Sequence, residues 1–190
     1  MAFVIRCRDV PWEDTDLVTR KLLTEIANRY HGNLHGVHGL SHWARVLENG
    51  LRLSRDQAVD LRVVELFAVF HDACRINDGI DHGHGARGAE LAQELRGRLF
   101  DLDDEAMDLL VDACDRHTDG KTDGPLTIRV CWDADRLDLL RCMIQPRPEK
   151  LATDMAREPG VLDWANERAR AQASTELLVT RWRPWLNGDA

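Results

Sequence analysis

Leu61-Arg62-Val63-Val64-Glu65-Leu66-Phe67-Ala68-Val69-Phe70-His71-Asp72 is the stretch that decides how this chain folds. Val64, Phe67, Ala68 and His71 fall at i, i+3, i+4 and i+7, the spacing of one face of an α-helix. The pattern predicts a helix between Asp56 and Asp72, with His71 at the end of its apolar stripe and facing inward. Asp72 follows directly, and a carboxylate beside Phe and Val is costly to bury unless it is paired or bound to a metal. Neighbouring residues on a helix point about 100° apart. His71 and Asp72 can therefore both reach an ion lying beside that helix end.

The same spacing returns between Asp103 and His117, in Met107, Leu110, Val111, Cys114 and His117, and delivers another imidazole to the core side of a last turn. Upstream, Ser41 reads as the N-cap of a helix from His42 to Ser54, which places His42 in its first turn behind the glycine-rich stretch 31–39. Further helices are predicted from about Gly85 to Leu99, from Asp133 to Ile144 ahead of Pro146 and Pro148, and from Val161 to Trp182 with Pro184 stopping it. Leu126 to Trp132 has strand-like composition and is read as a loop running into a helix. No repeat or low-complexity tract interrupts the pattern. The chain reads as all-α: a single-domain helical bundle over residues 1–190, with its motif core at about 38–142 and a helical extension at about 148–190.

Composition bounds what such a bundle does. The 190 residues are 44% hydrophobic and 31% charged, enough for a sizeable core and far from the composition of disordered chains. Lys plus Arg number 25 against 33 Asp plus Glu, a formal charge of -8. With no run of five basic residues, that balance argues against nucleic acid or an anionic membrane as partner. No uninterrupted apolar run is longer than Leu66 to Phe70, far short of the roughly 20 residues a bilayer span needs. Arg6, Arg8 and Asp9 stand where a secretion signal would need an apolar segment, so a cytoplasmic location is expected. Cys7, Cys74, Cys114, Cys131 and Cys142 are odd in number and lack Cys-x-x-Cys spacing; reduced, mostly buried thiols are expected rather than a thiolate metal site.

Of the 8 histidines, His31, His35, His38 and His42 lie close together, which invites a metal hypothesis. The informative set is narrower: His42, the His71-Asp72 pair, and Asp133-Ala134-Asp135-Arg136-Leu137-Asp138, on three separate helices. Imidazole nitrogens with carboxylate oxygens suit a transition ion, whereas all-oxygen sites favour Mg²⁺ or Ca²⁺.

This arrangement resembles the HD-domain superfamily of metal-dependent phosphohydrolases, whose pattern is a His, a His-Asp doublet and a distant Asp. Ser41-His42-Trp43-Ala44-Arg45-Val46 is similar to the family's first-histidine motif. Asp133 to Asp138 is similar to its closing motif, in which the aspartate before Arg-Leu is the ligand. The resemblance implies an HD-type helical bundle and a metal held by His42, His71, Asp72 and Asp135. His84, followed by Gly85 and Gly88-Ala89, and His117 resemble the extra histidines of binuclear HD proteins, implying a second site of Asp72, His84 and His117 bridged by Asp72. The implied cofactor is a divalent transition metal (Mn, Fe, Zn, Co or Ni), one or two per chain. His117 is followed by Thr118-Asp119-Gly120-Lys121, without the His doublet and Gly-Tyr-Pro of cyclic-dinucleotide phosphodiesterases, so that activity is not implied. Where small HD nucleotidases carry an acid three residues after the doublet, this chain has Arg75, with its acid at Asp78.

A bound transition ion lowers the pKa of coordinated water from about 15.7 towards 7 and polarises a phosphoryl oxygen. The implied reaction is hydrolysis of a phosphate ester, on a nucleotide or another small phosphorylated metabolite. Asp72, Asp78 as a general base and Arg75 as a phosphate clamp are the candidate catalytic residues. Arg87, Arg116, Lys121 and Arg136 are further candidate clamps because they flank the motifs in sequence. The same order of ligands is shared with inositol-oxygenase-like di-iron HD proteins, and a non-catalytic, metal-stabilised module is a third reading. Asp133 and Asp138 read as capping or salt-bridging carboxylates and His82 as an exposed loop residue. Trp164, Trp182 and Trp185 read as packing anchors rather than a base-stacking platform. No Gly-x-x-x-x-Gly-Lys loop occurs, which argues against ATP-driven work. The apolar face of the final helix is able to pack on its own domain or on a second copy of the chain, which leaves a homo-oligomer as an expectation.

Overall fold

A computed structural model describes residues 16–55 and 57–188. Cys7 and the opening stretch read for a secretion signal lie outside the described residues. The elements in order are α1 (Arg20–Arg29), α2 (Leu40–Leu53), α3 (Leu61–Phe70), α4 (His84–Leu95), α5 (Asp104–Arg116), α6 (Leu126–Arg136), α7 (Asp154–Arg157), α8 (Pro159–Arg170) and α9 (Arg183–Asn187). No β-strand occurs among the described residues, and none of their helices is long and apolar enough to cross a membrane.

α3 is the axis of the fold. Asp60 caps it by accepting from the Arg62 N–H at 2.9 Å. From Val63 to Phe70 every residue is buried, as expected of a helix that is apolar all round and sits inside the core. α2, α4, α5 and α6 pack around it. Each fully buried Val, Leu or Phe contributes roughly 1.5–3 kcal/mol. Glu65 is the polar exception. Its carboxylate accepts the Leu17 and Val18 N–H groups at 3.2 and 2.9 Å, which pins the chain ahead of α1 onto α3. α4 approaches the C-terminal end of α3 so closely that a Cβ on Gly88 would lie 2.2 Å from the Phe70 carbonyl oxygen.

Several boundaries differ from those predicted. Ser41 does not cap α2. The helix begins at Leu40 with Gly39 as N-cap and no side-chain cap, because Gly39 lies against the Leu34 backbone, where a Cβ would come within 2.2 Å of the carbonyl oxygen. α3 begins at Leu61, not near Asp56, because Asp60 supplies the cap. Residues 126–132 are helix rather than loop. Their β-branched composition is overridden by burial of Ile128, Val130 and Trp132 in the core. That helix stops at Arg136, and a separate 3₁₀ turn, Leu139–Cys142, takes the place of its predicted second half. The predicted long helix from Val161 is broken after Arg170, where Gln172 takes a φ of +46°. A π-helical turn, Leu178–Trp182, then runs into α9, and Pro184 sits in the first turn of α9 instead of ending a helix. The helical run passes the proline by widening to i→i−5 bonding, as in the Arg183 N–H to the Leu178 carbonyl. Trp182 is buried in the core, and Trp164 and Trp185 pack against it beneath Arg168 and Arg181, as anchors do. Cys114 and Cys131 are buried, Cys74 and Cys142 half-buried, and all four are free thiols.

Candidate metal centre

Five elements bring six side chains to one place. His42 comes from the first turn of α2, His71 from the C-cap of α3, and Asp72 from the turn behind it. Asp135 comes from the last turn of α6, His84 opens α4, and His117 is the C-cap of α5. All six are buried. Phe67 stacks on the His71 ring with centroids 4.8 Å apart, closing the apolar side of the site.

The hydrogen bonds of the imidazoles fix what the site can hold. His42 donates from Nδ1 to Asp138 Oδ2 at 2.8 Å, and His71 donates from Nδ1 to the Phe67 carbonyl at 3.0 Å. Both Nε2 atoms then carry lone pairs, yet they face each other 3.0 Å apart. Asp72 Oδ2 lies 3.6 and 3.7 Å from these nitrogens, and Asp135 Oδ1 lies 3.4 and 3.9 Å from them. Lone pairs converging in this way repel unless a cation lies between them. Donors about 2.1 Å from one ion, at tetrahedral or octahedral angles, are themselves about 3.0–3.5 Å apart. Asp135 Oδ1 is also buried without a hydrogen-bond partner, the mark of an acceptor awaiting a positive charge.

The second pair repeats the pattern. His84 donates from Nδ1 to the Asp81 carbonyl at 2.6 Å, His117 from Nδ1 to the Cys114 carbonyl at 2.7 Å, and their Nε2 atoms lie 2.9 Å apart. Asp72 Oδ1 is 3.2 Å from His84 Nε2 and 3.7 Å from His117 Nε2. His42, His71 and Asp72, and again Asp72, His84 and His117, are two groups able to hold a metal ion, with one oxygen of Asp72 turned to each.

Burial pushes His71 down to about 3, so it stays neutral and able to ligate. Burial also pushes the Asp72 carboxyl up, but the surrounding imidazoles of His71, His117, His38 and His42 outweigh it and hold the group well below the usual carboxylate range. Asp135 is held down against its burial mainly by Arg141. His117 is raised, because the neighbouring carboxylates of Asp72 and Asp135 overcome its burial.

The other residues read from the sequence either hold the site in place or lie away from it. Asp133 accepts from the Ala152 and Thr153 N–H groups and the Thr153 hydroxyl, and ties α6 to the segment before α7. Asp138 orients His42 and is held by Arg45, whose Nε donates to Oδ1 at 2.7 Å and whose Nη2 donates to Oδ2 at 2.9 Å. Arg75 is at the site, with Nη1 3.4 Å from Asp72 Oδ1 and 3.1 Å from His84 Nε2. Asp78 lies on the exposed loop behind Asp72 and makes no hydrogen bond or ion pair to the cluster. Arg87 is engaged by Asp81 and Arg116 by Asp112; Arg136 donates to the Lys121 and Lys150 carbonyls. None of these three forms a hydrogen bond or ion pair to the six side chains, and Lys121 is exposed. His31, His35 and His82 form no part of it either.

Two residues of the site were not singled out from sequence. His38 is buried and donates from Nδ1 to Asp72 Oδ2 at 2.9 Å; its membership of the histidine cluster was the signal available. Arg141, on the 3₁₀ turn after α6, is buried with Nη1 3.7 Å from Asp135 Oδ1 and Nη2 4.0 Å from Asp72 Oδ2. No sequence pattern marked it.

No family model matches the chain, and no curated protein matches it. Among solved structures it is similar to the 1.45 Å crystal structure of a predicted HD superfamily hydrolase from an uncultured Thermotogales bacterium. The TM-score is 0.62 at 22% identity, over 94% of this chain and 97% of that one. The chain has the HD-superfamily fold.

Proposed function

We propose that the chain is a metal-dependent phosphohydrolase acting on the phosphate ester of a nucleotide or another small metabolite. The observation that carries the reading is the Asp72 carboxylate, which turns one oxygen to the His42–His71 pair and the other to the His84–His117 pair, with every Nε2 of the two pairs left as an acceptor. His42, His71, Asp72 and Asp135 would hold one divalent transition ion, and Asp72, His84 and His117 a second. Such ions supply Lewis acidity and an acidified water at neutral pH. The solved HD structure of the same fold is of a predicted hydrolase, which agrees with this chemistry.

Charge selects the substrate class. Around the cluster, the buried carboxylates of Asp72, Asp135 and Asp138 are matched by the buried guanidiniums of Arg45, Arg75 and Arg141. The protein groups alone are therefore near neutral, and each divalent ion makes the site net cationic. That favours a phosphate ester over an uncharged substrate. Asp138 keeps the His42 Nε2 lone pair directed inward, and Arg141 holds Asp135 ionised. Arg75 offers its charge toward a cavity of about 540 Å³ that it lines together with His84, Asp115 and Asp119.

The test is phosphate release from a panel of small phosphomonoesters, with Mn²⁺, Co²⁺, Fe²⁺, Ni²⁺ or Zn²⁺ supplied to metal-stripped protein. Turnover is expected with at least one ion and is abolished in Asp72→Asn. Oxygen uptake with near-ultraviolet absorption and no phosphate release would replace this reading with the di-iron oxygenase one.

A further inference from the structure

A guanidinium nitrogen stands against the donors of the second ion pocket. Arg75 Nη1 lies 3.1 Å from His84 Nε2 and 3.4 Å from Asp72 Oδ1, two of the three donor atoms of the Asp72, His84 and His117 group. The Nδ1 proton of His84 is committed to the Asp81 carbonyl at 2.6 Å, so the lone pair on its Nε2 accepts from Arg75. The pocket of His42, His71, Asp72 and Asp135 has no such plug. The guanidinium beside it, Arg141, reaches the carboxylate side only, 3.7 Å from Asp135 Oδ1 and 4.0 Å from Asp72 Oδ2.

The hold on Arg75 is local. Its Nε donates to the Asn77 carbonyl at 3.2 Å and its Nη2 to the Gly79 carbonyl at 2.7 Å. Both acceptors belong to the exposed loop 76–80, where Ile76 and Ile80 are 63% and 84% exposed. Beside Arg75 lies the cavity of about 540 Å³, whose wall also carries Asp115 and Asp119. Both are exposed and make no ion pair with another described residue. A withdrawn guanidinium has space and carboxylates to meet.

We propose that Arg75 is a built-in cation that competes with the second metal ion. The chain then holds one ion tightly at His42, His71, Asp72 and Asp135, and takes another at Asp72, His84 and His117 only by displacing Arg75 toward the cavity. This rests on the metal-centre reading above and goes beyond it by ranking the two sites. A fixed positive charge beside the same donors opposes a divalent ion by direct repulsion and by occupying the lone pairs the ion needs.

Metal-stripped wild type, Arg75→Gln and Arg75→Met are titrated with Mn²⁺ by calorimetry, and bound ions are counted after equilibrium dialysis. In wild type the second ion is expected to bind at least about tenfold more weakly than the first. In both variants it binds about tenfold more tightly than in wild type, while the first ion changes by less than about twofold. Melting of the metal-free variants below wild type, recovered on adding Mn²⁺, is expected as well, since the ion then replaces the lost charge. Equal affinities in wild type, or no gain in second-ion affinity in either variant, overturns the role of Arg75 and leaves the metal centre standing. Absence of bound ion from all three proteins overturns the metal reading and this proposal together.

Discussion

Asp138 does two things with one carboxylate. It fixes the His42 tautomer through Nδ1 and neutralises the buried Arg45. Burial works to raise its pKa, yet the hydrogen bond from His42 and the charge of Arg45 win and hold it far below the usual carboxylate range. Asp138→Asn is expected to weaken binding of the tighter ion about 10- to 100-fold, as loss of a histidine-orienting carboxylate does. It should also lower stability by about 3–5 kcal/mol, since Arg45 loses its buried partner. Competition against a chromophoric chelator checks the first effect and urea denaturation the second. At this scale the His71-Asp72 pair was legible because helical spacing placed an ionisable doublet at the end of an apolar stripe. The orienting role of Asp138 and the presence of Arg141 were not, because each depends on where a turn after α6 lays a side chain against residues almost a hundred positions earlier.

The site is assembled by helix ends, so the spacing between helices matters as much as the ligands. A Cβ on Gly85 would lie 2.2 Å from the Cys114 carbonyl oxygen and 3.0 Å from His117 Nδ1. Gly85→Ala must therefore push α4 away from α5 and part His84 from His117. The expected cost is about 1–3 kcal/mol in a denaturation midpoint, with loss of the second ion and retention of the first. Gly160→Ala, in α8 with nothing within 4 Å of the new methyl, is the control and should be neutral or stabilising by up to about 1 kcal/mol. The helices themselves were legible wherever an apolar stripe recurred at helical spacing, as in α3 and α5. α6 was not, because its β-branched residues have a strand-like composition and only burial among neighbouring helices makes them helical. Nor was the break after Arg170, since nothing in the amphipathic pattern there records the positive φ of Gln172.

For the whole molecule, the metal centre sets the pH response. His71 titrates near 6.5 when unfolded and is pushed to about 3 in the fold by burial. Between those values the unfolded chain binds the extra proton, so stability falls as pH falls. From pH 6.5 to 5 the His71 contribution to this loss is about 2 kcal/mol in the metal-free protein. The raised His117 works in the opposite direction and offsets part of it. Asp72 and Asp138, held low, add their own loss once pH drops below the ordinary carboxylate range near 3.8. Urea midpoints of metal-free protein at pH 7.5 and 5.0 should fall in that order; a midpoint that rises at pH 5.0 would mean His71 is not held neutral. Saturating metal at pH 7.5 should raise stability by about 2.7 kcal/mol at a hundredfold excess over its dissociation constant.

Hydrophobic periodicity is a property of consecutive residues, so the sequence by itself determined that the chain is helical, that α3 is buried, and that His71 and Asp72 close its end. Which oxygen of Asp72 serves which imidazole pair, and that Arg75 stands against the second pair, are distances between residues on different helices. Those distances are set by how α2 to α6 pack around α3, and only the tertiary structure decided them.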